Sequence, residues 1–194
     1  VRVGLLSCED AWFDEPARLA RDAGAQVLAV LNASPFHAGK GAEREQRMRE
    51  RVADCGLPLI YAHLVGGQDE VIFEGRSFAL NAQGDTVARA EGFREADLAV
   101  QAASSSGGTQ GVALTAAADA LVPLASADAE LWDALVLGVR DYLGKNGFKG
   151  AILGLSGGID SALVLAIAVD AIGADKIHAV MMPSPYTADI SWID

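Results

Sequence analysis

Residues 150–182 set apolar blocks and glycines in an order that leaves few ways to fold. Gly150-Ala-Ile-Leu-Gly-Leu155 is short and apolar, the length of a buried strand. Ser156-Gly-Gly-Ile-Asp-Ser161 follows as a turn, and Ala162 to Ile172 then runs apolar almost throughout, with Gly173 as a helix stop. Ile177 to Met182 is a second short apolar block. Strand, glycine turn, helix and strand make a βαβ unit of about 30 residues. Such a turn favours an anion, because glycines let backbone N–H groups approach a phosphate and the helix N-terminus adds partial positive charge. It is not a Walker loop, since it has no lysine, and Gly154, Gly157 and Gly158 do not spell G-x-G-x-x-G. The plain alternative is a tight turn in which Asp160 or Ser161 caps the helix.

With 194 residues, 51% of them apolar, the chain can build one large core or two small ones. A formal charge of −11 argues against nucleic acid as a partner. No apolar run reaches membrane-spanning length and the first residues lack a signal-peptide pattern, so no membrane partner is expected. Two cysteines, Cys8 and Cys55, make no disulfide framework, which points to a reducing cytoplasm. The chain opens on Val1 inside a strand-like run and stops at Ser191-Trp-Ile-Asp194 without a cap. Both ends read as cut.

Val1 to Ser7 reads as a buried strand, Asp14 to Ala23 as a helix and Gln26 to Leu31 as the next strand, a second βαβ unit. It places Cys8 at a strand's C-terminal end, where open α/β sheets put their chemistry. A thiol on such a turn can act as a nucleophile; the plain reading is an inert buried cysteine. Cys55, beside Gly56-Leu-Pro58, takes the inert reading. Glu43 to Arg51 mixes signs at i,i+4 spacing, which suits a solvated helix face. Leu59 to Val65 is strand-like, and Arg76 to Leu80 and Thr86 to Ala90 flank Asn81-Ala-Gln-Gly84-Asp85 as a hairpin. His37, His63 and His178 have no partners at metal-ligand spacing.

Ser-Gly-Gly-Ile-Asp-Ser161 resembles the pyrophosphate loop of ATP-pyrophosphatases, enzymes that cleave ATP to AMP and pyrophosphate. The resemblance implies that Gly154, Leu155, Ser156, Gly157, Gly158, Ile159, Asp160 and Ser161 hold ATP and pyrophosphate, with Asp160 placing Mg²⁺. Cys8-Glu-Asp-Ala-Trp-Phe13, Asn32-Ala-Ser-Pro-Phe36, Leu64-Val-Gly-Gly-Gln-Asp-Glu70 and Phe73-Glu-Gly-Arg-Ser-Phe78 resemble the nitrilase-type glutaminase domain, above all the version fused to glutamine-dependent NAD synthetase. That family uses a Cys-Lys-Glu triad, which makes Cys8 the nucleophile. In the family the Glu and Lys precede the Cys, and the seven residues before Cys8 contain neither. Glu9 and Lys40 match neither triad position. Ser34 and Lys40 match positions that hold the amino-acid end of glutamine; as bare residues they are a turn former and a solvated loop cation.

Gln101 to Ser126 changes composition and reads as a linker between a glutaminase half, residues 1–100, and a synthetase half, residues 127–194. Leu131, Leu135, Val139 and Tyr142 form one helical stripe, read as core packing. From Asp133 onward the chain resembles NAD synthetase, with Asn146-Gly-Phe-Lys-Gly150 and Met181-Met-Pro-Ser184; Pro185 stands where the family has arginine, and Trp192 where it has a small aliphatic residue. The fold class is therefore α/β: the C-terminal half of a nitrilase-like αββα sandwich, then the start of a Rossmann-like ATP-pyrophosphatase (adenine nucleotide alpha hydrolase) parallel sheet. The implied reaction is amidation of deamido-NAD⁺ to NAD⁺ with ammonia from glutamine, using ATP and Mg²⁺, in a full-length protein expected to be a homo-oligomer. The competing readings are an inactive fragment that binds a nucleotide or a partner, aggregating when isolated, and another glutamine-fed ATP-pyrophosphatase.

Overall fold

The computed structural model describes residues 1–104 and 111–181. Cα proximity divides the chain into two units, residues 1–66 with 72–130, and residues 67–71 with 131–194. Met182, Pro183, Ser184, Pro185 and Trp192 lie outside the described residues.

The first unit opens with β1 (Val3–Ser7), a 3-10 turn (Cys8–Trp12), α1 (Asp14–Asp22), β2 (Val27–Asn32), α2 (Lys40–Cys55) and β3 (Leu59–His63). β1, β2 and β3 are neighbours and parallel, each step crossing over through one helix. A short ribbon follows, β4 (Val65–Gln68) and β5 (Val71–Glu74), whose tip belongs to the second unit. β6 (Phe78–Leu80) and β7 (Thr86–Arg89) return antiparallel and complete a sheet of order β1-β2-β3-β6-β7. Asn81 forms the predicted hairpin turn: its Oδ1 accepts the N–H groups of Gln83 and Asp85, each at 2.9 Å.

Period-two alternation sorts the strand side chains. Leu6, Leu28, Val30, Leu59, Tyr61, Phe78 and Leu80 face the helices and pack on Ala17, Met48 and Val52. Val27, Ala79 and Ala88 face the other way, onto Val112 and Leu114. Those two residues sit on β9 (Val112–Thr115), paired antiparallel with β8 (Gln101–Ser104). The segment read as a linker thus carries two strands, one of which contributes to a core. Toward β1 this second face is open, with Leu5 72% exposed and Val3 and Leu31 also outside.

The charged helix is not the solvated element its composition predicts. Arg44, Glu45, Met48, Arg51, Val52 and Cys55 are all buried, at the i, i+1, i+4, i+7, i+8, i+11 spacing of one broad face. The leading members of that face are charged because the sheet supplies their counterions. Glu45 accepts from Arg89 at 2.7 Å, from Thr86 at 2.6 Å and from Arg49 at 3.1 Å.

α3 (Ala127–Lys145) belongs to the second unit from Leu131 on and precedes β10 (Ala151–Leu155), α4 (Ile159–Ile172) and β11 (Ile177–Met181). β10 and β11 pair in parallel through the α4 crossover, Ala151 opposite Ile177 and Leu155 opposite Met181. α3 buries Ala134 and Leu137 rather than the predicted stripe, for Leu131, Leu135 and Tyr142 are exposed. Ile152 is 78% exposed, and His178, Val180 and Met181 are exposed too, so these strands are not the buried ones expected. Among the described residues their sheet has two strands, too few to cover both faces. Residues 67–71 are held to α3: Asp141 accepts the Gly67 N–H at 2.7 Å, and Lys145 donates to the Gly67 carbonyl.

One glycine fixes how closely α1 lies on the sheet. A Cβ at Gly4 would stand 2.9 Å from the Ala20 Cβ and 3.0 Å from the Ala25 Cβ. Gly4→Ala is expected to destabilise the first unit by about 1–3 kcal/mol, as overpacking does. Urea denaturation should show a lower midpoint; an unchanged midpoint would mean that α1 shifts away freely.

Candidate functional site

β1 ends at Ser7, and the chain turns at once into the 3-10 segment that Cys8 opens. The Ser7 N–H donates to the Asp10 carboxylate at 3.0 Å, which ties the turn to the strand end. Cys8 is exposed and has φ of +46°, in the left-handed region that a side chain avoids without tertiary support. Cys8 borders a wide cleft of about 440 Å³, lined also by Asn32, Ala33, Ala62, His63 and Leu64. These are the C-terminal ends of β1, β2 and β3, the rim where a parallel sheet presents chemistry. Cys55 is buried, and burial pushes its thiol pKa up.

Ser34 lies two residues beyond β2, and its hydroxyl accepts from Asn32 Nδ2 at 2.8 Å and from Arg44 Nε at 3.1 Å. Arg44 also donates to the carbonyls of Ser34 and Pro35, at 3.2 and 3.0 Å, and pairs with Glu74. Both side chains of that pair are 2% exposed. Burial pulls the Arg44 guanidinium below its ordinary pKa, and nearby Tyr61, Glu43 and Cys8 favour its charge. Asn32, Ser34, Arg44 and Glu74 therefore form one connected cluster behind the Cys8 cleft.

Lys40 is the first residue of α2, not a free loop cation. Its ammonium sits 4.3 Å from the Trp12 ring centre and 2.8 Å from Glu43. The Lys40 hydrogen bond is the chief cause that lowers the Glu43 pKa. Cys8 and Trp12 are the two ends of one 3-10 turn, so Lys40 is fixed to the segment that carries the thiol. Of the residues singled out in the sequence, Cys8 borders the cleft, Ser34 joins the cluster and Lys40 rests on Trp12; His63 was set aside there, and Asn32, Arg44 and Glu74 were not singled out. The signal was present for Arg44: it stands one turn ahead of Met48 and two ahead of Val52, on the face α2 must bury.

In the second unit the turn from Leu155 to Ile159 has the predicted strand-to-helix geometry. Gly157 adopts φ of +75°, and Gly158 occupies the N-cap of α4 with no side chain to close the helix end. Ser161 Oγ donates to the Gly158 carbonyl at 2.9 Å, receives the Ser156 N–H at 3.3 Å and lies 3.1 Å from Ser156 Oγ. The two hydroxyls thus pin the loop across its mouth, while Asp160 is exposed in the first turn of the helix. A helix end that no side chain caps, with exposed hydroxyls beside it, can receive a phosphate.

His63 ends β3 with its ring 1% exposed. Its Nδ1 lies 2.8 Å from the Leu64 carbonyl, which fixes the neutral ring with the proton on that nitrogen. Burial first, and Arg44 second, pull its pKa from 6.5 to about 4. Glu74 Oε2 lies 4.0 Å from Nε2, beyond hydrogen-bond distance, and the other oxygen of that carboxylate pairs with Arg44. Between pH 6.5 and 4 the unfolded chain binds this proton and the folded chain does not. Stability therefore rises with pH across that window and is lost as pH falls through it, by roughly 3 kcal/mol in full. Thermal melts of the first unit from pH 7 to 4 should drop more steeply for the natural chain than for His63→Asn; parallel curves would refute the assignment.

Comparison with known proteins gives the family. The family model for carbon-nitrogen hydrolase matches residues 1–109, and that for NAD synthase matches residues 131–193. A glutamine-dependent NAD(+) synthetase of Rhodobacter capsulatus is 44% identical over 194 residues, covering 100% of this chain and 34% of that protein. One from Synechocystis is 44% identical over 202 residues, covering 98% of this chain and 35% of its own length. The chain thus spans about a third of the curated relatives it matches. The solved structure of glutamine-dependent NAD+ synthetase from Acinetobacter baumannii, in complex with ADP, superposes with a TM-score of 0.86 at 39% identity, over 98% of this chain and 35% of that one. A second such synthetase structure, from Cytophaga hutchinsonii, shares the fold at 20% identity and a TM-score of 0.71. By the match across its first 109 residues, and with an NAD synthase segment joined behind them, the chain belongs to the carbon-nitrogen hydrolase family.

Proposed function

We propose that the protein carrying this chain makes NAD⁺ from deamido-NAD⁺, drawing the nitrogen from glutamine and the driving force from ATP. One observation carries the reading: a single chain joins an exposed, left-handed Cys8 at a strand end to a lysine-free phosphate turn at 156–161. The relatives named above, glutamine-dependent NAD(+) synthetases by name, align across both features.

Cys8 Sγ attacks the side-chain carbonyl of glutamine. The tetrahedral adduct collapses with loss of ammonia, and water hydrolyses the remaining thioester to glutamate. Ser34 and Lys40 hold the amino-acid end of the substrate, which lets one thiol distinguish glutamine from simple amides. In the second unit ATP transfers its adenylyl group to the nicotinate carboxylate of deamido-NAD⁺, and pyrophosphate leaves against the turn at 154–161. Ammonia then displaces AMP and forms the amide.

The leaving pyrophosphate develops charge that the turn, lacking a lysine, offsets only through backbone dipoles and hydroxyls. Mg²⁺ fits this donor set, since it takes one or two carboxylates together with phosphate oxygens and water. Asp160 is the exposed carboxylate at the turn. Asp160 would hold the ion, which supplies charge neutralisation to the departing phosphates when bound.

In the full-length protein, Cys8→Ala is expected to abolish NAD⁺ formation from glutamine while leaving formation from ammonium salts within about twofold of normal. Retained glutamine use would refute the nucleophile. Asp160→Asn should weaken Mg-ATP binding about tenfold or more by calorimetry, in line with the loss of one charged ligand; equal affinity would remove Asp160 from the metal site.

A further inference from the structure

The Ser34 hydroxyl has two lone pairs and one proton. Asn32 Nδ2, at 2.8 Å, and Arg44 Nε, at 3.1 Å, both donate to it, so both lone pairs are engaged from within the protein. What remains toward a ligand is the O–H. Arg44 cannot swing away to release a lone pair. Its other nitrogens donate to the Ser34 and Pro35 carbonyls and pair with Glu74, and the side chain is 2% exposed, so leaving these partners would strand a buried charge.

We propose that Arg44, fixed by Glu74, is a positioning residue that makes Ser34 a hydrogen-bond donor only, so that Ser34 reads an α-carboxylate oxygen and rejects an α-ammonium. This rests on the reading of Ser34 and Lys40 as the holders of glutamine. It goes further in assigning which end of the amino acid Ser34 meets, and in naming the residues that enforce it. Glu74 has the supporting part. Its charge keeps the guanidinium ionised and immobile behind the loop, and the Arg44 fork ties α2 to residues 34 and 35 at three points. A serine held this way and a lysine ammonium supply two donors, which suits the two oxygens of a carboxylate.

The test measures KM for glutamine and KM for ATP in the full-length protein for Ser34→Ala, Arg44→Lys, the double variant and Asn32→Asp. Lysine keeps the charge but cannot bridge Oγ and two carbonyls at once. Aspartate is isosteric with asparagine but accepts, so it draws the Ser34 proton inward and silences the donor. Each single variant is expected to raise KM for glutamine about tenfold, the usual effect of one hydrogen bond to a charged group, with KM for ATP unchanged. The Ser34→Ala/Arg44→Lys double variant should be no worse than Ser34→Ala alone, because Arg44 acts through Ser34. A normal KM for glutamine in Ser34→Ala would sink the underlying assignment of Ser34 to glutamine. A raised KM in Ser34→Ala with a normal one in Arg44→Lys, or with additive effects in the double variant, would overturn the role of Arg44 alone. If Arg44→Lys proves too unstable to assay, Asn32→Asp decides: a raised KM for glutamine supports the donor-only serine and an unchanged one refutes it.

Discussion

A guanidinium and a carboxylate buried together, Arg44 with Glu74, are the constraint on which the first unit turns. Each charge alone would be strongly destabilising in that position, and each is tolerable only because the other is there. Satisfying Arg44 takes more than Glu74. The carbonyls of Ser34 and Pro35 and the hydroxyl of Ser34 complete its hydrogen bonds, so the loop after β2 has one place to lie. Burial keeps His63 neutral, and the cluster adds to it, because Arg44 repels a proton there. A hydrophobic pair of similar volume could fill the space, but it would leave residues 33–36 without a reason to take one shape.

Seen from this cluster, the rim of the parallel sheet has two kinds of residue. Cys8 is exposed and held in an unfavourable backbone region at the end of β1. Asn32, Arg44 and Glu74 are buried, and Ser34 half-buried; they form the backing. Lys40 links the two, since it rests on Trp12 at the far end of the turn that Cys8 begins. The turn at 156–161 in the second unit is built on another plan. Its shape comes from two hydroxyls, Ser156 and Ser161, and from glycines that leave the start of α4 without a side-chain cap.

The order of strands and helices was legible because local patterns agreed with the fold. The apolar blocks at 3–7, 27–32, 59–63, 151–155 and 177–181 became strands, and the Asn81 turn closed as its residues demand. The turn at 156–161 was legible for the same reason: its chemistry is contained in six consecutive residues. What stayed hidden depends on contacts between distant segments. Arg44 and Glu45 look solvated until Glu74 and Arg89, 30 and 44 residues away, are brought beside them. Val112 and Leu114 carry no periodic signal in so short a strand, yet the second sheet face gave them a core to join. The α3 stripe failed for a related reason, because Ala134 and Leu137 met a neighbour and the larger Leu131 and Leu135 did not. Cys8, Ser34 and Lys40 were recognised through motifs, whereas the residues that support them have no motif to be read.

The tip of the β4–β5 ribbon has a practical consequence for anyone who would take the protein apart. Residues 67–71 interrupt the first unit midway in sequence, yet they are grouped with α3, where Asp141 and Lys145 hold both sides of the Gly67 peptide. The chain is thus laced: a stitch from the early sequence is caught in the later one. A dissection at 101–126 would give two pieces on paper, but the first would carry a loose loop and the second would lack a strap. The seam between the two units is therefore not a single point along the chain.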